Sequence, residues 1–385
     1  MSPPKITTIE QLQEYLRIAM QIEHATIPPY LLALYSIHPG TNSVATQALR
    51  VVVVEEMLHL TLAANLLNAV GGKPDLTAPD FVPLYPAFLP NGEKDFEVDL
   101  QPFSAAAIDT FLKIERPGRA PSEDKRMIHR PPMMMMATAA AGVRRGTRIR
   151  TMPRAMPRTM NATALAAGSG DSDLDYYSIG EFYDEIGRGL KYLHEQEKDK
   201  LFSGAAERQA GPEYYYSGGA GLFEVTNLQS ALDAVHVIIE QGEGFDRGVY
   251  NDAGEIAHYF RFKELTFGQH YQNGDTPDRP TGEKFAIDWN AVYPFKKNAR
   301  LTDYAGSSEL RAAAVAFNRS YADFLAVLTA AYNGEPELLL EKAVPQMFVL
   351  RNKTLQLIHN PIPGMEGVNA APTFEIDEAG SAVAA

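Results

Sequence analysis

VVVVEEMLHL, residues 51–60, is the stretch on which the reading of this chain turns. At about 100° per residue, Glu56 shares a helical face with Leu49, Val52, Leu60, Ala63 and Leu67. A carboxylate inside such an apolar stripe is costly to bury unless it is paired or metal-bound. His59 follows three residues later and lies one turn along the same face. Glu55 points away from this face and is expected to be solvated. The helix runs over 43–70 and is ended by Gly71-Gly72 and Pro74.

The spacing recurs at EIAH, 255–258, where Glu255 and His258 stand three apart on an expected helix over 252–267 that also carries Phe262 and Leu265. A first helix over 8–36 places Glu23 on the stripe of Leu16, Ala19, Ile27 and Tyr30. Pro28-Pro29 is expected to kink it just after Glu23. A helix over 228–243 offers Glu243, aligned with Leu232, His236 and Ile239, while Glu240 sits nearer the flank. Glu181 and Glu185 on a helix over 178–200 are rivals. Two Glu-x-x-His pairs with a lone carboxylate from each of two other helices form the ligand set of a dimetal site in a helical bundle. The candidate metal ligands are therefore Glu23, Glu56, His59, Glu243, Glu255 and His258. A buried glutamate more often has an arginine partner, and Arg17, Arg50 and Arg261 are at hand. The recurrence of the motif with an inward glutamate tips the reading to metal.

Composition narrows the chemistry. The 385 residues include no cysteine, so thiolate metal sites, iron–sulfur clusters and disulfides are excluded, and a metal must be held by His and carboxylates. The net charge of −13 argues against a nucleic-acid partner. No uncharged apolar run reaches the roughly 20 residues of a membrane span, and the N-terminus has no signal-peptide pattern, so a cytoplasmic protein without a membrane partner is expected.

The remaining segments set the layout. A Pro-rich crossover with short strand-like pieces such as Phe96-Glu97-Val98 fills 73 to about 104. Its Phe81, Tyr85 and Phe88 are candidates to roof the site. Tyr30, Tyr35, Tyr259 and Phe262 are candidates to line it. Residues 117–175 are basic, rich in Met, Ala and Arg, and lack a sustained period, which reads as a low-complexity insertion. Two helices, about 305–333 and 336–358, form an αα-hairpin. The expected division is a metal-binding bundle over 1–290 and a C-terminal hairpin and tail over 291–385 packed on it.

EHATIPPYLLALYSI (23–37), VVVVEEMLHLTLAANLLNAVGGKP (51–74), SIGEFYDEI (178–186), IIEQGEG (238–244), EIAHYFRFKEL (255–265) and the closing NAAPTFEI (369–376) occur in an order that resembles the ferritin-like domain of the VioB/RebD family. That family contains iminophenyl-pyruvate dimer synthases and stand-alone ferritin-like proteins. The resemblance covers about 1–115 and 176–375. It implies a mainly all-α, ferritin-like four-helix bundle with iron-dependent redox chemistry on a small molecule. Two iron ions are expected, with manganese the other candidate. The expected partners are a small-molecule substrate, O2 or peroxide and further copies of the chain as a homo-oligomer. The expected activity is that of a dimetal oxidoreductase acting on a small organic molecule such as an amino-acid-derived imine. The alternative is iron binding or ferroxidase action without an organic substrate.

Overall fold

The computed structural model describes residues 4–119, 174–216, 221–244, 248–250 and 254–376. Most of the insertion expected at 117–175 lies outside them. The described residues are helical, with only isolated β-bridges. One bridge pairs Ala87 with Val98, which is all that the strand-like piece at 96–98 forms.

Helix α1 (Ile9–Ser36) starts where Thr8 accepts from the Gln11 amide and Gln11 reaches back to the Thr8 amide, a reciprocal cap. Helix α2 (Ser43–Ala69) returns alongside α1 after a six-residue turn, and the two pack along their lengths. Short helix α3 (Ala105–Ile114) begins at the Ser104 cap. Helix α4 (Ile179–Glu197) begins at the Ser178 cap, and α5 (Leu228–Glu243) at Asn227. Then come α6 (His258–Phe267), α7 (Ser308–Ala331) and α8 (Val344–Ile358), the last entered through a π turn at Leu339–Ala343.

The bundle is α1, α2, α4 and α5: α4 packs on α5 and α1, and α5 on α2. Its other end is completed by α3 and α6, which pack on each other, with α6 also on α2 and α5. Chain ends meet at these joins. A Cβ on Gly118, just past α3, would lie 3.1 Å from Cγ of Glu181 in the first turn of α4. A Cβ on Gly244, just past α5, would lie 3.6 Å from Ala257 at the start of α6. The chain just past α3 thus lies against the start of α4, and the chain just past α5 against the start of α6. The expected helix over 252–267 begins only at His258, a correction that matters for the site.

Pro28 and Pro29 do not break α1, which is helical through Ser36. Without an N–H, Pro29 cannot bond the Ala25 carbonyl one turn back. The Tyr85 hydroxyl donates to that oxygen instead, at 2.9 Å. Phe81 stacks near His24, 4.9 Å between ring centres, and His24 Nε2 lies 2.8 Å from the Tyr321 hydroxyl on α7. Phe81 and Tyr85 thus pack against α1 on the side of the C-terminal hairpin, and neither they nor Phe88 line the cavity at the acidic cluster, which corrects the expected roof. A single large hydrophobic core runs from the bundle into the α7–α8 hairpin. Helix α2 has the length and hydropathy of a membrane-crossing helix, but 78% of its apolar window is buried inside the protein, as in a core helix.

Replacing Tyr85 by Phe should leave the Ala25 carbonyl without a donor in a buried setting. A loss of about 1–3 kcal/mol is expected in urea unfolding. An unchanged unfolding midpoint would show that Tyr85 does not serve this carbonyl.

Candidate metal centre

Five ionisable side chains converge where the two sets of helices meet. Glu23 comes from the middle of α1, Glu56 and His59 from α2, Glu115 from the C-terminal cap of α3, and His258 from the first residue of α6. None is more than 5% exposed. Their ligand atoms form two groups, Glu23–Glu56–His59 and Glu56–Glu115–His258, each with atoms within 4.8 Å of one another. Glu56 belongs to both.

The two groups are built alike. His59 Nδ1 lies 3.5 Å from Glu23 Oε2 and 3.7 Å from Glu56 Oε1. His258 Nδ1 lies 2.9 Å from Glu56 Oε1 and 3.4 Å from Glu115 Oε2. Each carboxylate turns one oxygen inward and uses the other to accept a hydroxyl. Tyr183 donates to Glu23 Oε1 at 2.6 Å, Thr26 to Glu56 Oε2 at 2.6 Å, and Tyr30 to Glu115 Oε1 at 2.5 Å. Each imidazole turns Nδ1 inward and is held from behind at Nε2, His59 by Gln241 at 2.8 Å and His258 by Glu55 at 3.0 Å.

Electrostatics without a cation is strained. Burial pushes the Glu23 and Glu115 carboxyls up, and the negative Glu56 adds to this. Burial also acts on Glu56, but the facing His258 and His59 outweigh it and hold it low, at about 2. Burial pushes His59 down, yet Glu23 and Glu56 carry it up to about 10; Glu115, Glu55 and Glu56 raise His258 in the same way. Protons on the imidazoles thus do the neutralising that a cation would do.

The donor set fits a pair of transition-metal ions: carboxylate oxygens and imidazole nitrogens, with no sulphur. One atom is compatible with a metal site. His258 Nδ1 is fully buried and has carboxylate oxygens close by, yet no hydrogen bond of acceptable geometry. A donor aimed at a shared point rather than along a hydrogen bond suits a coordination site.

The structure brings together Glu23, Glu56, His59 and His258 of the expected ligands, and sets two others apart. Glu255 is exposed, in the segment before α6, so the Glu-x-x-His spacing there does not lie on a helix. Glu115, which is not among the expected ligands, stands beside Glu56 and His258 where Glu255 was expected. Its signal in the sequence is Ser104 as a cap before the stripe Ala107, Ile108, Phe111, Ile114. Glu243 is buried and borders the same cavity, but its carboxylate accepts from the Gly118 and Gly180 amides at 2.8 and 2.9 Å. It thereby closes the N-terminus of α4, where amides are otherwise unpaired. A Cβ on Gly180 would stand 2.4 Å from Glu243 Oε1, so this contact requires glycine.

The rivals are engaged elsewhere. Glu240 pairs with His236 at 2.5 Å, Glu181 accepts from the Tyr177 and Arg119 amides, and Glu185 pairs with Arg188. Glu55, expected in solvent, is half-buried because α6 brings His258 to it. Of the aromatic candidates, Tyr30 is at the site, with Phe262 packed on it at 5.5 Å between ring centres. Tyr259 belongs to a separate small core with Phe260 and Tyr271, and Tyr35 faces Arg351. Beside the cluster lies a narrow cavity with room for about one water-sized guest, lined by Ile114, Ile179, Ile238, Ile239 and Gly242 as well as the acidic residues.

Comparison with known proteins agrees with this architecture. The chain is 24% identical over 351 residues to dichlorochromopyrrolate synthase of Lentzea aerocolonigenes, a match covering 84% of this chain and 29% of that protein. The chain thus spans under a third of that relative. A crystal structure of a ferritin-like protein from Caulobacter vibrioides superposes with a TM-score of 0.57 at 21% identity, covering 96% of this chain and 99% of the other, which shows a shared fold. Residues 16–267, from the first turns of α1 to the end of α6, match the family model described as Ferritin-like, and the chain belongs to that family.

Proposed function

We propose that this protein is a non-haem dimetal oxidoreductase, with two iron ions or their manganese equivalents, acting with O2 or peroxide on a small organic molecule. One observation carries the reading: two like groups of buried carboxylate and imidazole donors share Glu56. Glu23, Glu56, His59, Glu115 and His258 would hold the ions. When bound, such ions supply one-electron redox steps and activation of dioxygen or peroxide.

The chain's own residues prepare that chemistry. Tyr183, Thr26 and Tyr30 fix the outer carboxylate oxygens, so the inner ones are held toward the centre. Gln241 and Glu55 fix the imidazole rings and their tautomer. Ile114, Ile179, Ile238 and Ile239 give the cavity an apolar lining. The substrate class rests on the named relative, a synthase, and an amino-acid-derived imine is the candidate we favour.

The narrowness of the cavity favours the second reading, iron binding or ferroxidase action without an organic substrate. Dioxygen consumption by the iron-loaded protein distinguishes them. Uptake that rises when amino acids or their imines are added supports the oxidoreductase. Uptake that stops once the added iron is oxidised, whatever organic molecule is present, supports the ferroxidase.

Elemental analysis of protein expressed with iron should find about two transition-metal ions per chain. A folded preparation that takes up neither iron nor manganese would overturn the proposal. Glu115→Ala should lose most of one ion's occupancy, whereas Glu255→Ala should keep both. The reverse result would return Glu255 to the ligand set and remove Glu115.

A further inference from the structure

The two halves of the centre match in their inward donors and differ behind them. His59 Nε2 faces Oε1 of Gln241, a neutral amide, whereas His258 Nε2 faces Oε2 of Glu55, a carboxylate. Either acceptor calls for the hydrogen on Nε2 and leaves the Nδ1 lone pair for the centre. Their strengths differ. A carboxylate draws the Nε2 proton toward itself and makes Nδ1 a better donor, and an amide oxygen does so far less. Glu55 also brings a further negative charge to the Glu115–His258 half, with a side chain only 18% exposed. Water there screens it weakly.

Position adds to charge. Glu55 and Glu56 are adjacent on α2 and reach both ring nitrogens of His258, at 3.0 and 2.9 Å. His258 opens a helix of ten residues, where an untethered ring would be loosely set. The two glutamates hold it to the long helix α2 instead.

We infer that the two metal positions are unequal and that Glu55, acting through His258, makes the Glu115–His258 position the tighter and first filled. The inference rests on the dimetal reading above. Glu55 is a positioning residue here: it touches a ligand, not the ions.

The test is anaerobic calorimetric titration of the full-length apoprotein with Fe(II), repeated with Mn(II). Wild type should bind in two resolved steps. Glu55→Gln keeps an acceptor oxygen and the side-chain shape but removes the charge. It should weaken the first step about 10–100-fold and leave the second, so that the steps merge. Gln241→Glu gives the other half the same carboxylate and should tighten the second step. In a His258→Ala background the Glu55→Gln effect should vanish, and in His59→Ala it should persist, which places the action on one half.

Circular dichroism and melting of each apo variant confirm folding. Should Glu55→Gln fail to fold, the Gln241→Glu titration decides alone. Wild-type binding in one step, equal weakening of both steps by Glu55→Gln, or a Gln241→Glu variant that titrates like wild type would overturn the inference while leaving two-ion binding in place. A wild type that binds no metal would instead defeat the dimetal reading itself.

Discussion

Three carboxylates and two imidazoles share one buried space, and much of the surrounding structure answers that constraint. An isolated buried charge is far more costly than the few kcal/mol that separate folded from unfolded chains. The protein meets this with opposite charges and hydroxyl donors. Glu56 sits between the two imidazoles and accepts from Thr26, while Tyr183 and Tyr30 cap the outer glutamates. Removing one member would leave another exposed to the same cost, so the five act as a unit.

The need to bring five groups to one point explains where the helices stop. Long helices α1 and α2 deliver three of them from their middles, where backbone position is most rigid. The other two come from ends: Glu115 caps α3 and His258 starts α6. Helix ends permit side-chain directions that a continuous helix does not offer, and α3 and α6 pack on each other as they deliver them. Glu243, at the last turn of α5, then closes the gap these ends create by bonding two amides across it.

Residues 51–60 made the architecture and half of the site legible. The wheel positions of Glu56, His59 and Glu23 are local properties of long, strongly apolar helices, and the structure finds all three side chains buried together. The second half was less legible for two reasons. Glu-x-x-His implies a shared face only when all four residues are helical, and Ala257 is instead the non-helical cap before His258. Glu115 caps a helix of only ten residues, next to the composition change at 117, and so short a helix carries little periodic signal beyond its Ser104 cap. The misplacement of Glu55 has a different origin. A wheel reports one helix's own faces, and it cannot foresee that α6 delivers a histidine to a flank that would otherwise be wet.

Glu243 accepts from Gly118 and Gly180, so a single side chain holds together two points sixty-two residues apart in sequence. One follows the end of α3 and the other lies in the first turn of α4. With the two ends moored to one carboxylate, their positions are set by contacts among the described residues. Lengthening the stretch between them costs little, about 0.6 kcal/mol of closure entropy per doubling. Among related chains, length at this point should drift widely, whereas Gly180 and the carboxylate it faces should be inherited together.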